Sequence, residues 1–136
     1  MTRFEGHQKR INKSAEQVYT YLSDFNNFEH SVPKEHVENW QSTEDSCSFS
    51  LKGIGEVAME IVERKPFKLI KLTNVKDSKF NFNFWIQLKE IAPDDTHRKL
   101  TMNVELNAMM KMVAKKPLNK FIVTLTDQIV EVFNRQ

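Results

Sequence analysis

Residues 117–133 read PLNKFIVTLTDQIVEVF, and their apolar positions include Leu118, Phe121, Ile122, Leu125, Ile129, Val132 and Phe133. Steps of three and four place these side chains on one side of a 3.6-residue helix. Pro117 suits a first helical turn, where its missing N–H has no helical acceptor to lose. Lys120, Thr124, Asp127, Glu131 and Asn134 occupy the other side. The stretch therefore predicts an amphipathic helix that ends the chain and has to bury its stripe against something else. Just upstream, residues 108–116 (AMMKMVAKK) are good helix formers. With Pro117 following, they predict a short helical or irregular entry that bends into the long helix.

The partner for that stripe lies in the middle of the chain, where the period switches to two between His36 and Asn107. Cys47, Phe49 and Leu51 alternate with polar residues, as do Val57, Met59 and Ile61. Ile70, Leu72 and Asn74 share a face, and Phe80, Phe82, Phe84, Ile86 and Leu88 form the longest alternation. Leu100, Met102, Val104 and Leu106 complete the set, and Val37 to Gln41 supplies a first strand on which either Val37 or Trp40 faces in. Alternation of this kind indicates antiparallel strands with one face on a core and the other in water. Turn-forming clusters separate the strands at 44–46, 53–55, 65–66, 76–78 and 92–95.

Ahead of these strands, residues 3–12 predict one charged strand ending at Ile11-Asn12. Ser14 with Gln17 has the form of a capping box, and Ala15, Val18, Leu22 and Phe25 repeat at helical spacing. Asp24 can cap a second short helix holding Phe25, Phe28 and Val32, which Pro33 would end. The fold class is thus α+β, and 136 residues without a linker predict one domain, 1–136.

This order of elements resembles the helix-grip fold of the START/Bet v 1/polyketide-cyclase-like (SRPBCC) superfamily. The residues that carry the resemblance are Ile11-Asn12-Lys13-Ser14-Ala15-Glu16-Gln17-Val18-Tyr19, then Leu22, Asp24-Phe25, Phe28 and Pro33. The resemblance implies a curved seven-stranded antiparallel sheet wrapped around the C-terminal helix, with two short helices after the first strand. It also implies an elongated cavity between sheet and helix, in which many members bind lipids, polyketides or other apolar molecules. Some members are cyclases or hydrolases, so the fold does not assign a function.

Composition narrows the choice. A net charge of +2 gives no global field for nucleic acid, and no nucleic-acid partner is expected. A single cysteine, Cys47, rules out an internal disulfide framework and fits a cytoplasmic protein. The N-terminus is charged and predicts no signal peptide, and no apolar run approaches the roughly 20 residues of a membrane helix. Ten phenylalanines against two tyrosines and two tryptophans favour a greasy interior, because Phe has no polar handle.

The expected ligand is a small apolar molecule. Its contacts would come from Phe49, Met59, Leu72, Phe80, Phe82, Phe84, Met102, Phe121 and Leu125, a face that reads equally as filled core or cavity wall. Asn74, if it faces inward, needs a partner, and it or the indole N–H of Trp40 would orient a polar group. Met109 and Met112 would gate entry, since methionine adapts its shape. Lys111, Lys115, Lys116 and Lys120 beside them suggest at most a transient contact with a membrane surface.

Catalytic constellations are thin, and the sequence assigns no catalytic residue. His7, His30, His36 and His97 are scattered and form no His-x-x-x-His pair, so neither a metal site nor a cofactor is expected. Cys47 reads as a small buried hydrophobe rather than a nucleophile, and Gly53-Ile54-Gly55 as a hairpin turn. The alternatives to a carrier are a cyclase- or hydrolase-type enzyme on the same scaffold, or a protein-binding module with a closed core.

Overall fold

A computed structural model of the chain describes residues 2–6, 8–29, 32, 34–75 and 81–134. Among the described residues eight strands and three helices follow one another: β1 (Thr2–Glu5), β2 (Lys9–Ile11), α1 (Ala15–Leu22), α2 (Phe25–Phe28), β3 (Val37–Ser42), β4 (Ser46–Leu51), β5 (Gly55–Lys65), β6 (Leu69–Asn74), β7 (Phe82–Ala92), β8 (Asp95–Val104) and α3 (Ala108–Asn134). The strands form one antiparallel sheet in the order β1-β8-β7-β6-β5-β4-β3, with β2 also paired to β8. The sheet thus has seven positions, and α3 packs on its apolar face. This is the helix-grip architecture.

The strand expected over 3–12 is two strands sharing one edge position. Glu5 pairs with Thr101, but Lys9 pairs with Arg98, so one extra residue is accommodated between Glu5 and Lys9. The offset reverses the side-chain alternation, and Phe4 and Ile11 both point into the core despite their odd spacing. A single alternating pattern could not describe this stretch. Gly6 also lies hard against α3: a Cβ there would collide with the Thr126 hydroxyl.

A second bulge settles which residue of β3 faces inward. Three steps from Glu38 to Gln41 oppose two from Ser50 to Ser48, and Asn39 takes a left-handed conformation with φ 57°. Val37 is consequently buried while Trp40 also packs against the core. The outer face is polar, and there Lys71 Nζ sits 5.7 Å from the centre of the Trp85 ring.

The short helices begin as their caps dictate. Ser14 Oγ accepts from the Gln17 N–H, and the Gln17 side chain accepts from the Ser14 N–H. Asp24 caps α2 by accepting from the Asn26 N–H. Val32 lies beyond α2 rather than within it, buried, with its N–H donating to the Phe28 carbonyl; Pro33 lies outside the described residues.

Two expectations change in the C-terminal third. β8 starts at Asp95, because Pro93 and Asp94 (φ 59°) make a tight turn that sets Ala92 opposite Asp95. Its first inward residues are Thr96 and Arg98, both buried, which hides the strand from a reading based on apolar alternation. α3 is one helix from Ala108, with Pro117 inside it rather than at its start. Asn107 explains this: its side chain accepts from the Met110 N–H at 2.8 Å and its carbonyl from the Lys111 N–H. That is an N-cap, and it starts the helix nine residues before the proline.

A candidate binding site between sheet and helix

The inward residues of β4 to β8 meet α3 through Leu118, Phe121, Leu125 and Ile129, all buried. The interior is largely filled, but two small voids remain. The first, about 30 Å³, is lined by Phe49, Leu51, Ile54, Val57, Met59, Phe82, Met102, Val104, Leu118 and Phe121. The second, about 20 Å³, is lined by Phe25, Phe28, Val32, Trp40, Cys47, Phe49, Met59, Leu72, Phe84, Phe121 and Leu125. Either has room for about one water, but walls this apolar give a water few partners.

Phe49, Met59 and Phe121 line both voids and form the partition between them. Phe49 stacks on Phe121 with centroids 5.9 Å apart, and on Trp40 at 5.5 Å. The partition is therefore two stacked rings plus one flexible thioether, and Trp40, which lines the second void alone, extends the stack. A change of rotamer at Met59 or Phe121 would join two voids into one longer cavity, and methionine accommodates such changes readily.

Of the residues expected to contact a ligand, Trp40, Phe49, Met59, Leu72, Phe82, Phe84, Met102, Phe121 and Leu125 all line one or both voids. Phe80 lies outside the described residues. Asn74 is only partly buried, and its carboxamide is engaged at the β6–β7 connection. Its Oδ1 accepts from the Phe82 N–H at 2.9 Å, and its Nδ2 donates to the Val75 carbonyl and to Asn81 Oδ1. It secures a strand end and does not face the voids. Met109 and Met112 stand 77% and 86% exposed on the outer side of α3 and line neither void. Starting the helix at Ala108 fixes its phase, and the phase turns Met110, Ala114 and Leu118 toward the protein instead.

Two polar atoms in this interior stand out. Trp40 Nε1 is buried without a hydrogen-bond partner among the described residues, beside the second void. Cys47 lies on the same wall, and burial pushes its thiol up, so it stays protonated and is a poor nucleophile. Among the described residues no group of three potential ligands could hold a metal ion.

Above the first void a cleft of about 330 Å³ opens to solvent between the β4–β5 turn and α3. It is lined by His36, Lys52, Gly53, Lys116, Pro117 and Lys120. Pro117 Cγ would lie 3.2 Å from a Cβ on Gly53, whose φ is 87°, so the turn and α3 come close where both line the cleft.

Arg98 has no counterpart among the residues singled out from the sequence. It is 1% exposed, and its Nη2 donates to the Thr126 carbonyl of α3. Its Nε and Nη1 have no partner among the described residues. Burial lowers the guanidinium well below its ordinary value, to about 10, opposed by the nearby charge of Asp127. It remains cationic at neutral pH.

No protein-family model matches the sequence, and no curated protein matches it. Solved structures do. A protein of Thermus thermophilus superposes with a TM-score of 0.78 at 13% identity, covering 98% of both chains. Norcoclaurine synthase of Thalictrum flavum, a point mutant bound to a transition-state analogue, gives 0.72 at 12% identity over 98% of this chain and 94% of that one. A START superfamily protein of Mycobacterium smegmatis gives 0.70 at 13%, over 98% and 97%. At these identities the likeness is one of fold.

Proposed function

We propose that the protein binds a small apolar molecule between the sheet and α3, as a cytoplasmic carrier or sensor. The observation that carries this reading is the divided apolar space: two voids that share Phe49, Met59 and Phe121 in their walls. A ligand would occupy both by displacing the Phe121 ring and refolding the Met59 side chain. Ligand pockets commonly measure about 300–1,000 Å³, so binding has to expand the interior, and α3 is the element that would yield. The unpaired Trp40 N–H supplies one donor, which favours a ligand carrying a hydrogen-bond acceptor.

An enzymatic reading on the same scaffold finds less support. Among the described residues, the only titratable group lining either void is the protonated Cys47 thiol, and general acid–base chemistry needs a positioned acid or base.

The test is native mass spectrometry of protein purified from its own cells, with thermal denaturation across a panel of alkanols, fatty acids and aromatic compounds. A true ligand at a hundred times its Kd stabilises the fold by about 2.7 kcal/mol. Bare protein and no shift with any compound would leave a closed core as the better description.

A further inference from the structure

We infer that the ligand is an anionic amphiphile, with its charged head in the Lys52–Lys116–Lys120 cleft and its apolar tail in the voids beneath. This rests on the binding reading given above and adds the ligand's chemical class. The cleft and the first void are the two sides of one structural seam. Lys52 and Gly53 line the cleft, while their neighbours Leu51 and Ile54 line the void. Across the seam Lys116, Pro117 and Lys120 line the cleft, while Leu118 and Phe121 line the void. A molecule entering between the β4–β5 turn and α3 therefore passes from a cationic rim to an apolar interior within the length of a few bonds.

The charge at the rim is of one sign. Three lysines and His36 line the cleft, and no carboxylate does so among the described residues. From Ala108 to Thr126 the helix carries Lys111, Lys115, Lys116 and Lys120 and no acidic residue. Like charges gathered without counter-charges repel one another, and an anionic head relieves that repulsion. The three cleft lysines are exposed, so they are free to close on a head group without first breaking a core. Carboxylate and phosphate heads share this chemistry.

The seam is also where the fold can part. Gly53 and Pro117 come close there, and Pro117 has no backbone N–H to donate across to the turn. Partly exposed Ile54 and Val57 on the void's wall mark the side nearest solvent.

The experiment compares four twelve-carbon probes by calorimetry below their micellar concentrations: dodecanoate, dodecyl phosphate, dodecanol and dodecyltrimethylammonium. Inorganic phosphate alone is a fifth. At about 50 mM salt the anionic probes bind about tenfold tighter than dodecanol, the cation binds weakest, and the anionic advantage shrinks at about 0.3 M salt. Inorganic phosphate, lacking a tail, binds far more weakly than dodecyl phosphate. The triple variant Lys52→Gln, Lys116→Gln, Lys120→Gln retains dodecanol binding and loses the preference for anions. Equal affinity for dodecanol and dodecanoate, or a preference that survives in the triple variant, overturns the anionic head and leaves the apolar site standing. Phosphate alone binding as tightly as dodecyl phosphate overturns the tail's place in the voids. Failure of every probe to bind overturns both readings.

Discussion

Burying Arg98 against the carbonyl of Thr126 leaves its Nε and Nη1 without partners among the described residues. Taking a charge out of water costs several kcal/mol unless a partner and hydrogen bonds compensate, and Asp127, exposed on α3, compensates only through space. Methionine has similar length and no charge to desolvate. Arg98→Met should therefore leave stability unchanged or raise it by about 1–4 kcal/mol in a urea titration. A loss instead would mean that the guanidinium is satisfied by ordered water and holds β8 to α3. This residue was illegible in the sequence for a physical reason. A charged side chain looks like the end of an apolar alternation, although Arg98 is in phase with Leu100 and Met102 once the strand is extended back to the turn at Pro93 and Asp94. Trp40 was half legible, because its parity hangs on a bulge at Asn39 that no periodicity displays. Asn107 was legible in principle, as a capping residue directly before a run of helix formers.

At the scale of elements, α3 was the most readable part of the chain downstream of Pro117, where Leu118, Phe121, Ile122, Leu125, Ile129 and Phe133 are all buried. Upstream, a proline expected to begin the helix instead interrupts its hydrogen bonding. Pro117 cannot donate to the Val113 carbonyl, and Val113 itself is 65% exposed, so water can take that place. The first turns of α3 are thus held by a cap and by Ala114 more than by a continuous ladder. Pro117→Ala restores the missing donor and should stabilise the helix by up to about 3 kcal/mol, less whatever packing against Gly53 is lost. Hydrogen exchange should show slower amides over residues 110–116. Unchanged exchange there would mean that the proline is no weak point. The strands were legible where both neighbours impose regular pairing, as at Phe84 and Ile86 between β6 and β8, and less so at bulges and at polar inward positions.

For the whole molecule, the sequence pattern identified most of the side chains that line the interior but not how much space they leave. That volume depends on how strongly the sheet curves around α3 and where its register slips, and neither is encoded in alternation. The same limit explains the exposed Met109 and Met112, whose facing depends on where the helix begins. Two voids in an otherwise dense core represent forfeited contacts, since apolar walls facing empty space lose dispersion energy. Adding a methylene at the first void tests whether the space is kept for a ligand. Val104→Ile should raise stability by about 0.8 kcal/mol while weakening ligand binding. Gained stability with unaltered binding would separate the void from the site, and lost stability would mean that the space cannot accept even one carbon.

The two bulges have one more effect. They lie on the outermost strands, one between Glu5 and Lys9 beside β8 and the other between Glu38 and Gln41 on β3. An open sheet exposes a row of unpaired backbone donors and acceptors at each rim, and a regular rim is a template on which another chain can add a strand. Here neither rim is regular for more than a few residues. The distortions that turn Ile11 and Trp40 inward also guard the sheet against edge-to-edge aggregation.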